Sequence, residues 1–158
     1  MDGLIIRKAE KKDVPVILDF IKRLAEYENL SNEVEATEES LSKWIFDEEK
    51  AEAVLVLASG KYVGFAVYFY NFSTFLGKGG VYIEDIFVKP EYRGKGYGKA
   101  LFKYLAKMAK EKGCGRLEWS CLDWNRPSID FYLSFGARPM DEWTIYRLAG
   151  EALDKAAE

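Results

Sequence analysis

The run VYIEDIFVKPEYRGKGYG at positions 81–98 leads straight into a segment whose apolar residues Leu101, Tyr104, Leu105, Met108 and Ala109 recur at helical spacing. A strand, a loop with glycines at 94, 96 and 98, and an amphipathic helix therefore follow one another without a linker. That succession commits the chain to a sheet with helices packed on it. It also builds an anion site, because glycine lets backbone N–H groups turn toward a ligand. The helix start adds unpaired donors and partial positive charge. The spacing G-x-G-x-G departs from the G-x-G-x-x-G of dinucleotide-binding loops. A Walker loop fails twice, since Gly98-Lys99 is followed by Ala100 and position 93 holds Arg. A glycine turn without a ligand is the blander reading, and the flanking strand and helix weigh against it.

The rest of the chain supplies the other layers. Residues 4–6 read as a strand. Asp13 looks like the cap of a helix carrying Val14, Ile17, Leu18, Ile21, Leu24 and Ala25 on one face. A second, short helix follows Thr37 and is expected to bury Leu41, Trp44 and Ile45. Strands at 53–58 and 62–70 are joined by the turn Ser59-Gly60-Lys61, and a loop ending in Gly79-Gly80 precedes the strand at 81–88. Gly113 stops the amphipathic helix. Residues 116–122 then read as strand, 128–135 as a helix closed by Gly136, and 143–148 as a last strand. The expected fold is thus α/β, of α+β layering, in the order β-α-α-β-β-β-α-β-α-β. One domain covers 1–150, and 151–158 form a polar tail, frayed or helical.

Composition narrows the chemistry. The sequence is 158 residues, 49% hydrophobic and 31% charged, which fits one folded domain rather than disorder. It contains no histidine, so imidazole acid–base work, Ser-His or Cys-His pairs and His-ligated metals are excluded. Cys114 and Cys121 lie about 23 Å apart along an extended chain, beyond disulfide reach. Two cysteines alone hold no metal either, so both read as packing residues in a reducing, cytoplasmic setting, and no metal is expected. With 23 basic and 26 acidic residues, the net charge of −3 argues against nucleic acid as a partner. No apolar run is long enough for a membrane span, and no leader segment is visible. The net value hides a split. Residues 26–52 carry ten acidic side chains against Lys43 and Lys50, while 89–116 carry nine basic ones against Glu91 and Glu111. Such a pair of lobes suits a cationic amine and a polyphosphate ligand, although a basic helix face is often only solvated.

Arg93-Gly94-Lys95-Gly96-Tyr97-Gly98, after Ile86-Phe87-Val88-Lys89-Pro90, resembles the R/Q-x-x-G-x-G/A motif of the GCN5-related N-acetyltransferases (GNAT). The expected element order is also similar to that family's. Membership would imply a mixed, mostly antiparallel central sheet flanked by helices, with acetyl-CoA as cosubstrate. By this resemblance, Arg93, Gly94, Lys95, Gly96, Tyr97, Gly98 and Lys99 hold the pyrophosphate, and backbone at Ile86, Phe87 and Val88 pairs with the pantetheine arm. LAEYE at 24–28, YIEDIFV at 82–88 and LDWNRPSIDFY at 122–132 resemble the spermidine/spermine acetyltransferase branch, and LDWN at 122–125 also the thialysine branch. That likeness implies Tyr132 as the acid for the CoA thiolate and Glu84 on the amine side. It further implies substrate contacts from Tyr27 and Glu28, cofactor contacts from Asn125, Arg126, Pro127 and Ser128, and a homodimer.

The chemistry is feasible with these side chains. An alkyl ammonium of pKa about 10.4 sits roughly 3.4 units above neutral pH, a handicap of about 4.6 kcal/mol for direct attack. A cleft carboxylate relieves it by attracting the ammonium and receiving its proton. Glu84 and Asp85, adjacent on a strand, point to opposite faces unless a bulge intervenes, and we read Glu84 as the one facing the amine. A tyrosine hydroxyl is able to protonate a departing thiolate, though Phe131, Tyr132 and Phe135 would also suit a core. The expected function is direct acetyl transfer from acetyl-CoA to a primary amine of a small cationic substrate, a polyamine or a lysine analogue. Acetylation of protein N-termini or lysines, and a non-catalytic acyl-CoA-binding module, are the alternatives.

Overall fold

The computed structural model describes residues 3–158. The chain forms two compact units, one ending at Ser120 and one beginning at Cys121. The first unit is built on a five-stranded sheet with β1 (Leu4–Lys8), β2 (Glu52–Ala58), β3 (Lys61–Ser73), β4 (Lys78–Val88) and β5 (Leu117–Trp119) in sequential order. Neighbours are antiparallel except β4 and β5, which are parallel. The mixed, mostly antiparallel sheet expected from the resemblance is therefore present. β3 and β4 outrun their expected ends, so Gly79 and Gly80 lie in the ladder rather than in a loop. A Cβ on Gly80 would come within 2.5 Å of the Asn71 Oδ1, so a larger residue there would have to displace the Asn71 side chain.

Helix α1 (Val14–Tyr27) packs on one sheet face. Ile17 and Phe20 from the helix join Ala53, Leu55, Phe65, Val67 and Phe87 from the strands in one buried cluster. Phe20, not singled out in the sequence, stacks on Phe65 with centroids 5.0 Å apart. Asp13 does not cap α1 with its side chain. Its carboxylate turns back, accepts the Glu10 N–H at 2.8 Å and pairs with both terminal nitrogens of Arg7. The charge is buried, and the guanidinium beside it holds the carboxyl below the usual range. Helix α2 (Glu38–Leu41) starts at Thr37, whose hydroxyl accepts the Ser40 N–H in a capping box. It widens into a π-helical turn at Ser42–Asp47 that buries Ile45 and turns Trp44 out, 51% exposed, contrary to expectation. Widening changes the angular step per residue, so the 3.6-residue pattern no longer predicts which side chain faces inward.

Helix α3 (Tyr97–Glu111) lies against β3 and β4 and buries Leu101, Phe102, Leu105 and Ala109. Among the described residues no helix is long and apolar enough to cross a membrane. Cys114 and Cys121 are half-buried, and the Cys121 thiol donates to the Leu122 carbonyl at 3.6 Å.

The second unit contains α4 (Arg126–Ser134) and α5 (Gly150–Ala156). The strand expected at 143–148 does not form. A strand needs a neighbour to take its backbone groups, and among the described residues of this unit there is no other strand. Its side chains also fail to find one buried face. Trp143, Ile145 and Tyr146 are 75%, 72% and 91% exposed. The element order therefore ends β-α-α rather than β-α-β.

Candidate active site

The glycine loop joins β4 to α3. Gly94 and Gly96 hold φ of 76° and 86°, and Gly96 is the N-cap residue. These are left-handed conformations that cost other residues strain. The first helical hydrogen bond runs from Ala100 N to Gly96 O at 3.0 Å, so the N–H groups of Tyr97, Gly98 and Lys99 have no intrahelical acceptor. Nothing lies within 4 Å of a Cβ placed on Gly94, and Lys95 and Lys99 are exposed beside the turn. One step upstream, β4 pairs with β5 only through Val81, Tyr82 and Ile83. From Glu84 to Val88 no strand occupies that edge among the described residues. An unpaired strand edge running into a ring of amide donors fits an extended amide-bearing arm that ends in phosphates, the shape of acetyl-CoA.

A bulge sits where the open edge begins. Val67 pairs with Asp85 and Tyr68 with Ile83, leaving Glu84 as an extra residue. In a regular strand Ile83, Asp85 and Phe87 would share a face. The insertion instead puts Ile83 opposite Tyr68, and Asp85 opposite Val67 in the cluster under α1. Asp85 is thereby half-buried, while Glu84 is exposed. Burial, with Glu84 and then Glu28 nearby, pushes the Asp85 carboxyl up to about 7. Burial also raises Glu28, just past the end of α1. The structure thus brings Glu28, Glu84 and Asp85 together, and the group whose proton equilibrium falls near neutrality is Asp85.

Tyr27, in the last turn of α1, meets the Phe87 ring with centroids 6.3 Å apart. The Arg93 guanidinium carbon lies 4.5 Å from the Tyr27 centroid and 5.4 Å from that of Phe87. Arg93 Nε donates to the Val88 carbonyl at 3.0 Å. Beside this group a cavity of about 280 Å³ is lined by Arg23, Glu26, Tyr27, Phe87, Pro90 and Glu91. Arg23, Glu26, Pro90 and Glu91 were not among the site residues expected from the sequence. The only signal for them is adjacency, on α1 before Tyr27 and in the turn before Arg93.

The remaining expected residues lie in the second unit. Asn125 is buried and its side-chain oxygen accepts the Ser128 N–H at 3.4 Å, capping α4. Pro127 occupies the first turn, and Arg126 pairs with Asp130 at 2.8 Å. Tyr132 follows in the same helix, its ring 5.6 Å from Phe131, which in turn meets Phe135 at 5.2 Å.

A model of the acetyltransferase (GNAT) family matches residues 19–137. The chain is 39% identical to a thialysine N-epsilon-acetyltransferase of Sus scrofa, over 99% of each sequence. It is 33% identical to the L-ornithine N5-acetyltransferase NATA1 of Arabidopsis thaliana, covering 94% of this chain and 85% of that one. Among solved structures, an integron cassette protein from the mobile metagenome of V. cholerae superposes with a TM-score of 0.83 at 29% identity, covering 100% of this chain and 99% of that one.

Proposed function

The chain belongs to the acetyltransferase (GNAT) family and is an N-acetyltransferase; from that premise we propose that it passes acetyl from acetyl-CoA to the side-chain amine of a small lysine-like α-amino acid. The observation that carries this reading is Asp85, turned by the bulge beside the open edge of β4 and poised near neutrality. Thialysine and ornithine, named for two relatives, are both amino acids with a terminal side-chain amine.

Acetyl-CoA, when bound, supplies an activated acyl group. The loop amides from Gly94 to Lys99 would hold its phosphates, with Lys95 and Lys99 adding charge, and the backbone of Ile86, Phe87 and Val88 would align its arm. Glu28 and Glu84 attract the substrate's ammonium. The ionised Asp85 carboxylate accepts its proton, directly or through water, and leaves a neutral nitrogen able to attack. Because Asp85 titrates near 7, part of the population is already ionised at neutral pH, and the proton it receives is not held too weakly. By resemblance alone, Tyr132 would protonate the leaving sulfur, and Asn125, Arg126, Pro127 and Ser128 would contact the cofactor.

The three gathered carboxylates favour a second reading, in which the acceptor is a polyamine. Thiol release from acetyl-CoA across thialysine, ornithine, lysine, spermidine and a lysine peptide separates the two. Turnover is expected with thialysine or ornithine at a kcat/KM at least about tenfold above spermidine, a difference near 1.4 kcal/mol. Preference for spermidine moves the assignment to polyamines. Turnover of the peptide alone overturns both readings.

A further inference from the structure

We propose that Arg93 is a positioning residue, which pins the start of the glycine loop to the amine-side wall through Tyr27. This rests on the reading of that loop as the acetyl-CoA site. As the first residue of the loop motif, Arg93 carries a charge that would suit an anion directly. Its guanidinium is instead laid over the Tyr27 ring at 4.5 Å and the Phe87 ring at 5.4 Å. Its Nε donor is committed to the Val88 carbonyl at 3.0 Å. One side chain thus fastens three points: the end of α1, the last residue of β4, and the first residue of the loop.

The loop needs such a fastening. Gly94 and Gly96 have no side chains to hold them, their φ values are positive, and nothing packs within 4 Å of a Cβ on Gly94. A glycine segment explores many backbone states unless its ends are fixed. Helix α3 fixes one end and Arg93 the other. An amide cradle that is already ordered does not lose affinity to ordering on binding. Tyr27, which the resemblance places with the amine, therefore contributes to acetyl-CoA affinity without touching it.

Calorimetric titration with CoA tests this in a double-mutant cycle. Arg93→Gln and Tyr27→Leu are each expected to raise the CoA Kd about fivefold, the size of a partly exposed cation–π contact, and the double variant is expected to be no worse than either alone. Tyr27→Phe keeps the ring and should keep wild-type affinity. Arg93→Lys supplies the same readout independently of Tyr27. A lysine retains the charge but loses the planar stack and the Nε donor, so it should behave like Arg93→Gln. Thermal denaturation midpoints for the Arg93 variants should stay close to wild type. The proposal is overturned if Tyr27→Leu binds CoA normally, if the two effects multiply, or if Arg93→Lys restores affinity, which would make Arg93 a direct phosphate contact. Failure of the wild-type protein to bind CoA would instead bring down the cofactor reading, and this proposal with it.

Discussion

At Asp85 the extra residue in β4 does two things. It turns the carboxyl toward the face that carries α1, and it places that carboxyl near Glu84 and Glu28 in partly dry surroundings. Both effects favour the protonated form, so the ionised base accumulates only as pH rises through about 7. For wild type, kcat/KM for the amine should climb about tenfold per pH unit below that point and level off above it. Asp85→Asn should lower kcat/KM by about 100-fold or more at pH 7.5. The break near 7 should vanish, because the variant must wait for amine already neutral in solution. Steady-state kinetics over pH 5.5–9 checks this, and an unshifted profile in Asp85→Asn would remove Asp85 as the base. Stability moves the other way. The folded state holds this proton more tightly than the unfolded chain, whose carboxyl titrates near its ordinary value. Asp85 therefore withdraws stability as pH rises from about 4 to about 7, a contribution that Asp85→Asn lacks. The variant should melt roughly 3–8 °C above wild type at pH 8, with the gap closing near pH 4.

At the scale of elements, the β4–loop–α3 unit contains three left-handed glycines, Gly94, Gly96 and Gly113, and comparing Gly96 with Gly113 separates ligand binding from strain. Gly96→Ala forces an alanine to φ near 86° inside the amide cradle. Gly113→Ala imposes similar strain at φ 75°, beyond the end of α3. Each should cost about 1–2 kcal/mol of stability. Only Gly96→Ala should also weaken CoA binding, by about tenfold in a titration, since on the proposed function only there would the altered backbone carry ligand donors. Equal CoA affinities for the two variants would show that the cradle is not at Gly96. This unit was legible in the sequence because strand, glycines and helix are contiguous and each signal is local. The bulge was not. Alternation alone leaves Glu84 and Asp85 equivalent, and their facing is decided by the register against Val67 and Tyr68, a ladder property. Arg93 on Tyr27 is hidden for the same reason, the partners being joined only by folding. Residues 143–148 show the opposite failure. A β-like composition promised a strand, but composition cannot supply the neighbouring strand that would take its backbone groups.

Across the whole chain, charge is sorted by segment rather than by net value. Ten acidic side chains against two basic ones occupy 26–52, which includes Glu28 and the residues after α1. Nine basic against two acidic ones occupy 89–116, which includes the glycine loop and α3. On the proposed function, a ligand bearing several phosphate charges would meet the basic segment's field before contact, and an ammonium the acidic one. Such fields act over about a Debye length, roughly 20 Å at 20 mM salt and 4 Å at 500 mM. They raise encounter rates more than they slow departure, so salt should show chiefly in association. Stopped-flow mixing with CoA should give an association rate constant that falls about tenfold between 20 and 500 mM NaCl, with the dissociation rate changing less than about twofold. Charge reversal on the exposed outer face of α3, Lys103→Glu with Lys107→Glu, should lower the rate at 20 mM and flatten its salt dependence, because neither residue belongs to the loop itself. If the association rate ignores salt in wild type, the basic face of α3 is merely solvated, and affinity for the cofactor rests on the loop amides and the edge of β4 alone.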